Sequence, residues 1–427
     1  MVHLATIKKD DDFDHSVRRA DSIQLETTDE DDNSTTVYGS RFAVEKLPHK
    51  EMPDREMPRE VTYRMIKDDL SLDGNPMLNL ASFVTAYMED EAEKLMSESL
   101  SKNFIDYEVY PQSAKIQNRC VNMITRLFNA PTNSEDEHPV GTSTVGSSEA
   151  IMLGTLAMKK RWQNSAVQVC WEKAARYFDI EERYVFCTED CYVIDPQQAV
   201  DLVDENTIGI CAILGTTYTG EYEDVKAIHD LLIKGGIDCP IHVNAASGGF
   251  ISPFIHPTLQ WDFRLERVVS INVSGHNELI FNINYLGAEQ ASFTLNFSKG
   301  ASQVIGQYYQ MIRLGKRGYR SIMVNITRIA DYQADQLEKL GFIIMSQRRG
   351  QGLPLVAFRF PERQGELFDE LALAHQLRER GWIVPAYTIA PNSNSLKLMR
   401  VVVWKDFTMS RCDTLLGDIK ACYEDLA

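Results

Sequence analysis

From about Asn79 to Gly300, helical patterns alternate with short unbroken apolar runs. The clearest runs are Ile208–Leu214, Cys239–Val243 and Val268–Val273. Such mainly apolar runs predict strands covered on both faces, as in a mainly parallel sheet flanked by helices. Between the first two, Val225 to Ile233 has the spacing of a crossover helix, closed by Gly235 and Gly236. From about Tyr308 the order becomes helix, glycine, strand. Ala334–Leu340 stops at Gly341 before Phe342, Ile343 and Ile344, and Leu371–Arg380 stops at Gly381 before Trp382, Ile383 and Val384. That order predicts a second, smaller α/β unit. Upstream lie a helix-like run, Val61–Ile66, and the loop Leu72–Pro76. The chain before Arg41 is polar and acidic, with Asp29, Glu30, Asp31 and Asp32 in one cluster. It carries too little apolar surface to order itself. The expected organisation is an acidic mobile arm over 1–41, an N-terminal segment over 42–78, a large domain over 79–307 and a small C-terminal domain over 308–427.

Composition narrows the partners. A chain of 427 residues can bury two cores. Its formal charge of −17 argues against nucleic acid or an anionic membrane surface as the main partner. No apolar run approaches the roughly eighteen residues needed to cross a bilayer, and the N-terminus lacks a secretory pattern. Eight cysteines in so long a chain do not make a disulfide framework. Cys170, Cys211 and Cys239 sit in apolar stretches and are expected as reduced, buried fillers. Cys187 and Cys191 have no further ligands at zinc spacing, so no metal is expected. The expected compartment is the cytoplasm.

Three segments carry candidate chemistry. In Gly141–Ala150, Ser147 and Ser148 precede an apolar helix start, Ile151–Gly154. Such a start can aim backbone N–H groups and hydroxyls at a phosphate, or can simply be an N-cap. In His242–Phe250, a buried strand delivers polar residues at its C-terminal end, where open α/β sheets place ligands. Small residues then let a flat group approach the backbone. Ser270–Asn277 again ends a buried strand in polar groups. A lone histidine such as His276 is more often structural than catalytic. Three polar strand ends in one chain nevertheless favour a shared pocket.

These segments resemble the glutamate decarboxylases of the group II pyridoxal-phosphate family, which have Gly-Ser-Ser-Glu-Ala, His-x-Asp-Ala-Ala-Ser-Gly-Gly-Phe and Ser-Gly-His-Lys. Tyr110–Ser113, Thr217–Gly220, Trp261–Arg264, Asn282–Gly287 and Asn296–Ser298 are also similar to theirs. The resemblance begins near Leu47 and runs almost to the C-terminus. It implies an α/β fold of the type I pyridoxal-phosphate (PLP) transferase kind, a large mainly parallel sheet domain followed by a small C-terminal one. It also implies PLP as cofactor, L-glutamate as substrate and a homodimer or larger homo-oligomer. By position, Ser147, Ser148 and His276, with Ser274 beside them, match contacts to the cofactor phosphate, and Ser298 matches one made across a dimer interface. Gln168 matches the residue over the pyridine ring, Ala246 lies in the motif beneath it, and Thr217 sits near the ring hydroxyl. Ser82, Phe83, Asn103 and Asp106 match the substrate side-chain pocket. Arg400 resembles the arginine expected near a substrate carboxylate, where a bidentate fork suits the task.

Two departures strike that chemistry. Asn244 stands where the family has an aspartate whose charge keeps the pyridine nitrogen protonated. Each pKa unit lost at that nitrogen removes about 1.4 kcal/mol of bias. His276 is followed by Asn277 and then directly by Glu278–Phe281. The Schiff-base lysine of the family, with the loop and strand after it, is absent. Lys299 and Lys316 are the next lysines along. A second excision lies near Arg161–Ser165. Burying even four large apolar side chains contributes roughly 6–12 kcal/mol, against a domain stability of about 5–15 kcal/mol, so losing a strand is expected to threaten folding. The expectation is therefore a glutamate decarboxylase by descent, converting L-glutamate to 4-aminobutanoate and CO₂, impaired or inactive as written and not covalently linked to its cofactor. The alternative is a non-catalytic cofactor-binding relative that acts as a regulatory or hetero-oligomer subunit.

Overall fold

The structure, a computed structural model, describes residues 47–53, 56–81, 88–131, 140–163, 180–188, 191–274, 278–281, 298–361, 368–388 and 396–426. The acidic arm, Ser82, Phe83, Gln168, Cys170, His276 and Asn277 lie outside them. The chain divides into two units, Met1–Asp73 and Gly74–Ala427. The first contains helix α1 (Arg59–Leu70), which has no buried residue and is braced by an Arg64–Asp68 pair one turn apart at 3.0 Å.

The second unit holds two sheets. In chain order, after a 3-10 turn over Pro76–Leu78, its described elements are α2 (Asp90–Ser97), α3 (Pro111–Leu127), β1 (Val140–Ser143), α4 (Gly146–Gln163) and α5 (Pro196–Asp201). Then come β2 (Ile210–Ile213), α6 (Val225–Lys234), β3 (Ile241–Ala245), α7 (Ser252–Ile255), β4 (Val268–Val273) and β5 (Glu278–Phe281). The five strands pair in the order β1-β5-β4-β3-β2. β2, β3 and β4 are mutually parallel, while β5 runs antiparallel to both β4 and β1. Four strands therefore point one way. Their C-terminal ends gather along one edge.

β4 coincides with the apolar run that predicts it. β3 starts later than its run, because Pro240 has no N–H to give the ladder; its carbonyl instead accepts from Ile210 at 2.9 Å. The crossover helix forms as α6, capped by the Asp224 side chain on the Ala227 N–H at 2.9 Å and closed at Gly236, φ 64°. Ile228 and Leu232 of α6 pack with Ile241, Val243, Ile271 and Val273 of the strands and with Phe128 and Trp261. Cys239 is buried, Cys211 is only half-buried, and the described cysteines form no disulfide.

The excision after His276 leaves no open slot between β1 and β4. The four residues that follow it directly, Glu278–Phe281, pair with both strands: Val140 faces Phe281 across one ladder and Ser270 faces it across the other. The backbone hydrogen bonds of the sheet interior are satisfied by this substitute strand, which is what a buried ladder requires.

The remaining elements are α8 (Ser302–Lys339), β6 (Ile343–Ile344), β7 (Leu355–Arg359), α9 (Glu370–Glu379), β8 (Ala386–Thr388), β9 (Lys397–Val402) and α10 (Met409–Leu426). Their sheet is antiparallel, ordered β6-β7-β9-β8, over a second core that includes Phe358, Trp382, Met399 and Ile419. α8 breaks at Gly315, φ 55° and ψ 179°. The expected boundary between 307 and 308 falls inside its first half. Trp382–Val384 is not a strand of this sheet. Ile383 makes an isolated parallel bridge to Asn79, and the strand begins only after Pro385, whose carbonyl accepts from the Arg400 N–H at 3.2 Å.

Candidate active site

β1 turns into α4 at Gly146, where φ of 83° favours a residue without Cβ. Ser147 is half-buried and Ser148 exposed in the first turn. Glu149 reaches back to the Val145 N–H, in the manner of a capping box. Its other oxygen lies 2.7 Å from Lys299 Nζ, and both side chains are buried. Lys299 Nζ also donates to the Ser143 carbonyl at 2.8 Å. Burial holds the Lys299 pKa below the ordinary lysine range, against the opposing pull of Glu149.

The backbone around Lys299 is tied to the loop before α3. Asn103 Oδ1 accepts from the Lys299 N–H at 3.0 Å and from Ile105 at 3.2 Å. Asp106 Oδ1 accepts from the Val109 N–H at 3.0 Å. The side-chain oxygens of both residues thus hold local backbone. Asn103 is brought against the Ser298–Gly300 segment, where Ser298 is exposed.

At the ends of β3 and β4, Asn244 stands opposite Asn272 in the ladder and His242 opposite Ser270. Asn272 Nδ2 donates to Asn244 Oδ1 at 2.8 Å, and the Ala246 N–H donates to the same oxygen at 3.2 Å. His242 bridges Asn272 Oδ1 at 2.8 Å and Ser270 Oγ at 2.7 Å. Burial pushes the His242 pKa down to about 4, so the ring is neutral. Ser274 is exposed, and its N–H donates to the Ala246 carbonyl at 3.2 Å. Gly248 and Gly249 are small because of packing. A Cβ there would lie 2.4 Å from the Leu214 carbonyl oxygen and 2.5 Å from Val273 Cγ2 respectively.

Arg400, on β9, crosses from the second sheet to the edge of the first. Its guanidinium donates to the carbonyls of Thr217 and Ala81 and, at 3.1 Å, to Tyr387 Oη, with the Tyr387 ring centroid 5.1 Å away. The residue is buried, Nε has no hydrogen-bond partner, and no carboxylate pairs with it among the described residues. Burial lowers its pKa from the ordinary arginine value.

Of the residues singled out by sequence, Arg400 and Thr217 are brought into contact, as are Asn244, Ala246 and Ser274 as a group. Sequence reading assigned no role to Glu149, Ser270, Asn272 or Tyr387. For Ser270 and Asn272 a signal existed: polar residues two apart on an apolar strand share one face.

The edge suits a phosphorylated pyridine. It offers the exposed hydroxyls of Ser148, Thr217 and Ser274, the amide of Asn244, an 18-residue helix starting at Gly146, and a buried guanidinium that lacks an anion. It offers no free amine at Lys299, whose Nζ is taken by Glu149 and Ser143.

The fold is that of the type I α/β pyridoxal-phosphate class. The chain belongs to the pyridoxal-dependent decarboxylases. Their conserved-domain model matches residues 53–166, 163–280 and 276–361, three stretches that meet at the two excisions. Glutamate decarboxylase of Petunia hybrida is 49% identical over 92% of this chain and 86% of its own length. That of Aliivibrio fischeri is 40% identical over 93% and 94%. The solved Lactobacillus brevis glutamate decarboxylase superposes with a TM-score of 0.83 at 38% identity, covering 89% of this chain and 96% of that one. A Burkholderia pseudomallei sphingosine-1-phosphate lyase shares the fold at 16% identity, with a TM-score of 0.73.

Proposed function

We propose that this chain binds pyridoxal 5′-phosphate without a covalent bond and L-glutamate through Arg400, and that its release of CO₂ to give 4-aminobutanoate is strongly impaired. One observation carries the substrate side. Among the described residues, the buried guanidinium bonds only to neutral oxygens and Nε is unpaired, which suits a carboxylate ligand. The impairment follows from Asn277 in place of lysine, from Lys299 being spent on Glu149, and from the neutral Asn244.

The bound cofactor supplies a ring that accepts the electrons left by CO₂ loss. Around it, Ser147, Ser148, Ser274 and His276 hold the phosphate, and Thr217 borders the ring hydroxyl. Gln168 covers the ring, Ala246 lies beneath it, and Ser82 and Phe83 line the side-chain pocket. Asn103 and Asp106 complete that pocket, Asn103 with its loop tied to the Lys299 N–H and Asp106 with its own tied to the Val109 N–H. The chain works as a homodimer or larger homo-oligomer in the cytoplasm, with Ser298 reaching the partner's phosphate.

Carboxyl-labelled L-glutamate, given to the purified full chain with the cofactor, tests this. Label release at least ~10²-fold slower than from a lysine-bearing relative is expected, the usual scale for one lost catalytic group. Equal rates would overturn it. Borohydride treatment should leave no cofactor–protein adduct. The exposed Ser298 hydroxyl favours a second reading, in which the chain pairs with a lysine-bearing subunit and completes its site. Mixing the two and finding altered activity of the active subunit would support that reading.

A further inference from the structure

The side chain of Asn244 has its orientation dictated by a group that can only donate. The Ala246 backbone N–H points at it from 3.2 Å, so the atom facing Ala246 is the carbonyl oxygen Oδ1. Asn272 must then also give its NH₂ to that oxygen, at 2.8 Å. This turns Asn272 Oδ1 toward His242 Nε2, which is 2.8 Å away and so carries the imidazole proton. His242 Nδ1 is left as acceptor for the Ser270 hydroxyl at 2.7 Å. Each of these four contacts then joins a donor to an acceptor, and no other assignment satisfies the Ala246 N–H. Both acceptor positions of Asn244 Oδ1 are filled. Its Nδ2, with two hydrogens, has no acceptor among the described residues and belongs to a half-buried residue at the ligand edge.

The network is rigidly housed. Its two cross-strand pairs sit in the β3–β4 ladder. Gly154 of α4 leaves the room that the imidazole fills, since a Cβ there would stand 2.9 Å from His242 Cε1 and Nδ1. An aspartate at 244 would accept the same two bonds and present an acceptor with its second oxygen. The change to asparagine therefore inverts only the presented group.

We propose that Ser270, His242 and Asn272 are positioning residues that lock Asn244 as a hydrogen-bond donor, so that the cofactor ring is held with its nitrogen bare and unprotonated. The site then selects ring systems that carry a lone pair at that position and rejects cationic ones. A pyridinium N–H or N-methyl group would set hydrogen against hydrogen, leaving the amide unpaired.

This rests on the cofactor reading above, and the test separates the two. The full chain is titrated with pyridoxal phosphate and with its N-methyl analogue, and the nitrogen resonance of ring-¹⁵N cofactor is followed in the complex. The analogue should bind roughly ten-fold or more weakly, the scale of one unmade buried hydrogen bond, and the resonance should stay at the unprotonated position at neutral pH. N244D should move it to the pyridinium position and abolish the discrimination. N272L should weaken the discrimination, which a merely structural role would leave intact. A protonated nitrogen in the unaltered chain, or equal affinity for the two ligands, would overturn the inference and spare the cofactor reading. Failure of both ligands to bind would overturn both. Because the unaltered chain alone decides the main question, misfolding of a variant does not remove the test.

Discussion

Lys299 Nζ stands 2.7 Å from Glu149 Oε1, and both side chains are almost wholly withdrawn from water. The pair joins the first turn of α4 to the segment that carries Ser298. It also cancels the Glu149 charge, which would otherwise oppose an anion at the same helix start. Removing one partner of a buried pair strands the other charge and costs about 3–5 kcal/mol. K299M should therefore lose roughly that much in urea unfolding and should bind pyridoxal phosphate more weakly. The double variant K299M/E149Q should recover much of both. A K299M protein as stable as its parent would mean that the pair is not coupled to folding.

How far this arrangement could be read from sequence depends on distance along the chain. Val268–Val273 is a six-residue apolar run and becomes a six-residue strand, because burial on both faces needs no partner to be recognised. The crossover helix is legible over Val225–Ile233 because its apolar stripe and closing glycines are local; its Asp224 cap emerges only in the structure. Ser147 stands out as a hydroxyl at a helix start, and Asn244 and Arg400 by resemblance. The bonds that orient them do not. The Asn244–Asn272 contact depends on strand register, the Lys299–Glu149 pair on the return of α8's leading segment to α4, and the Arg400–Thr217 contact on the meeting of two sheets. Filling of the sheet by Glu278–Phe281 was likewise illegible, since no local pattern says that a strand will slide into the place of a lost one.

Gly154 tests how tightly the hydrogen-bonded histidine is packed. In an exposed helix interior, replacing glycine by alanine stabilises by roughly 0.5–1 kcal/mol. Here the added methyl would meet the His242 ring at 2.9 Å. That ring is held on both nitrogens and cannot move aside without breaking a buried bond. Overpacking of this kind costs typically about 1–3 kcal/mol. G154A should accordingly be less stable than the parent by equilibrium denaturation. A more stable variant would show that the ring has room to shift.

Glu223 gives the fold a pH dependence of definite sign. Burial pushes its carboxyl up to about 7, although the N–H groups of Ile213 at 2.6 Å and Ile194 at 3.3 Å favour the charged form. Its ordinary value is 4.5. The folded state thus binds the proton more tightly. The resulting stabilisation is fully present below the unfolded pKa and is lost as pH rises through about 7, by at most roughly 3 kcal/mol. His242 acts the other way, its contribution being lost as pH falls through about 4. Comparing the parent with E223Q by urea unfolding isolates the glutamate: the difference between the two should vary between pH 4.5 and 7 and flatten above that. A pH-independent difference would place the Glu223 carboxyl in water.

Arg400 should be the residue through which a dicarboxylic amino acid is felt. Its guanidinium bonds to the carbonyls of Thr217 and Ala81 and to Tyr387 Oη, so its plane is fixed before any ligand arrives. A carboxylate that reaches Nε would relieve a buried, uncompensated charge, and charge-assisted bonds of this kind contribute about 1.5–3 kcal/mol. Lysine keeps the charge but has no planar fork and cannot hold the two carbonyls and the phenol together. With the cofactor present, L-glutamate should raise the melting temperature of the parent, and R400K should lose that rise while also melting lower without ligand. The 4-aminobutanoate product, which lacks the α-carboxylate, should raise it less than glutamate does. Equal shifts from the two compounds would place Arg400 at the carboxylate they share, and a rise that survives in R400K would move the carboxylate contact away from Arg400.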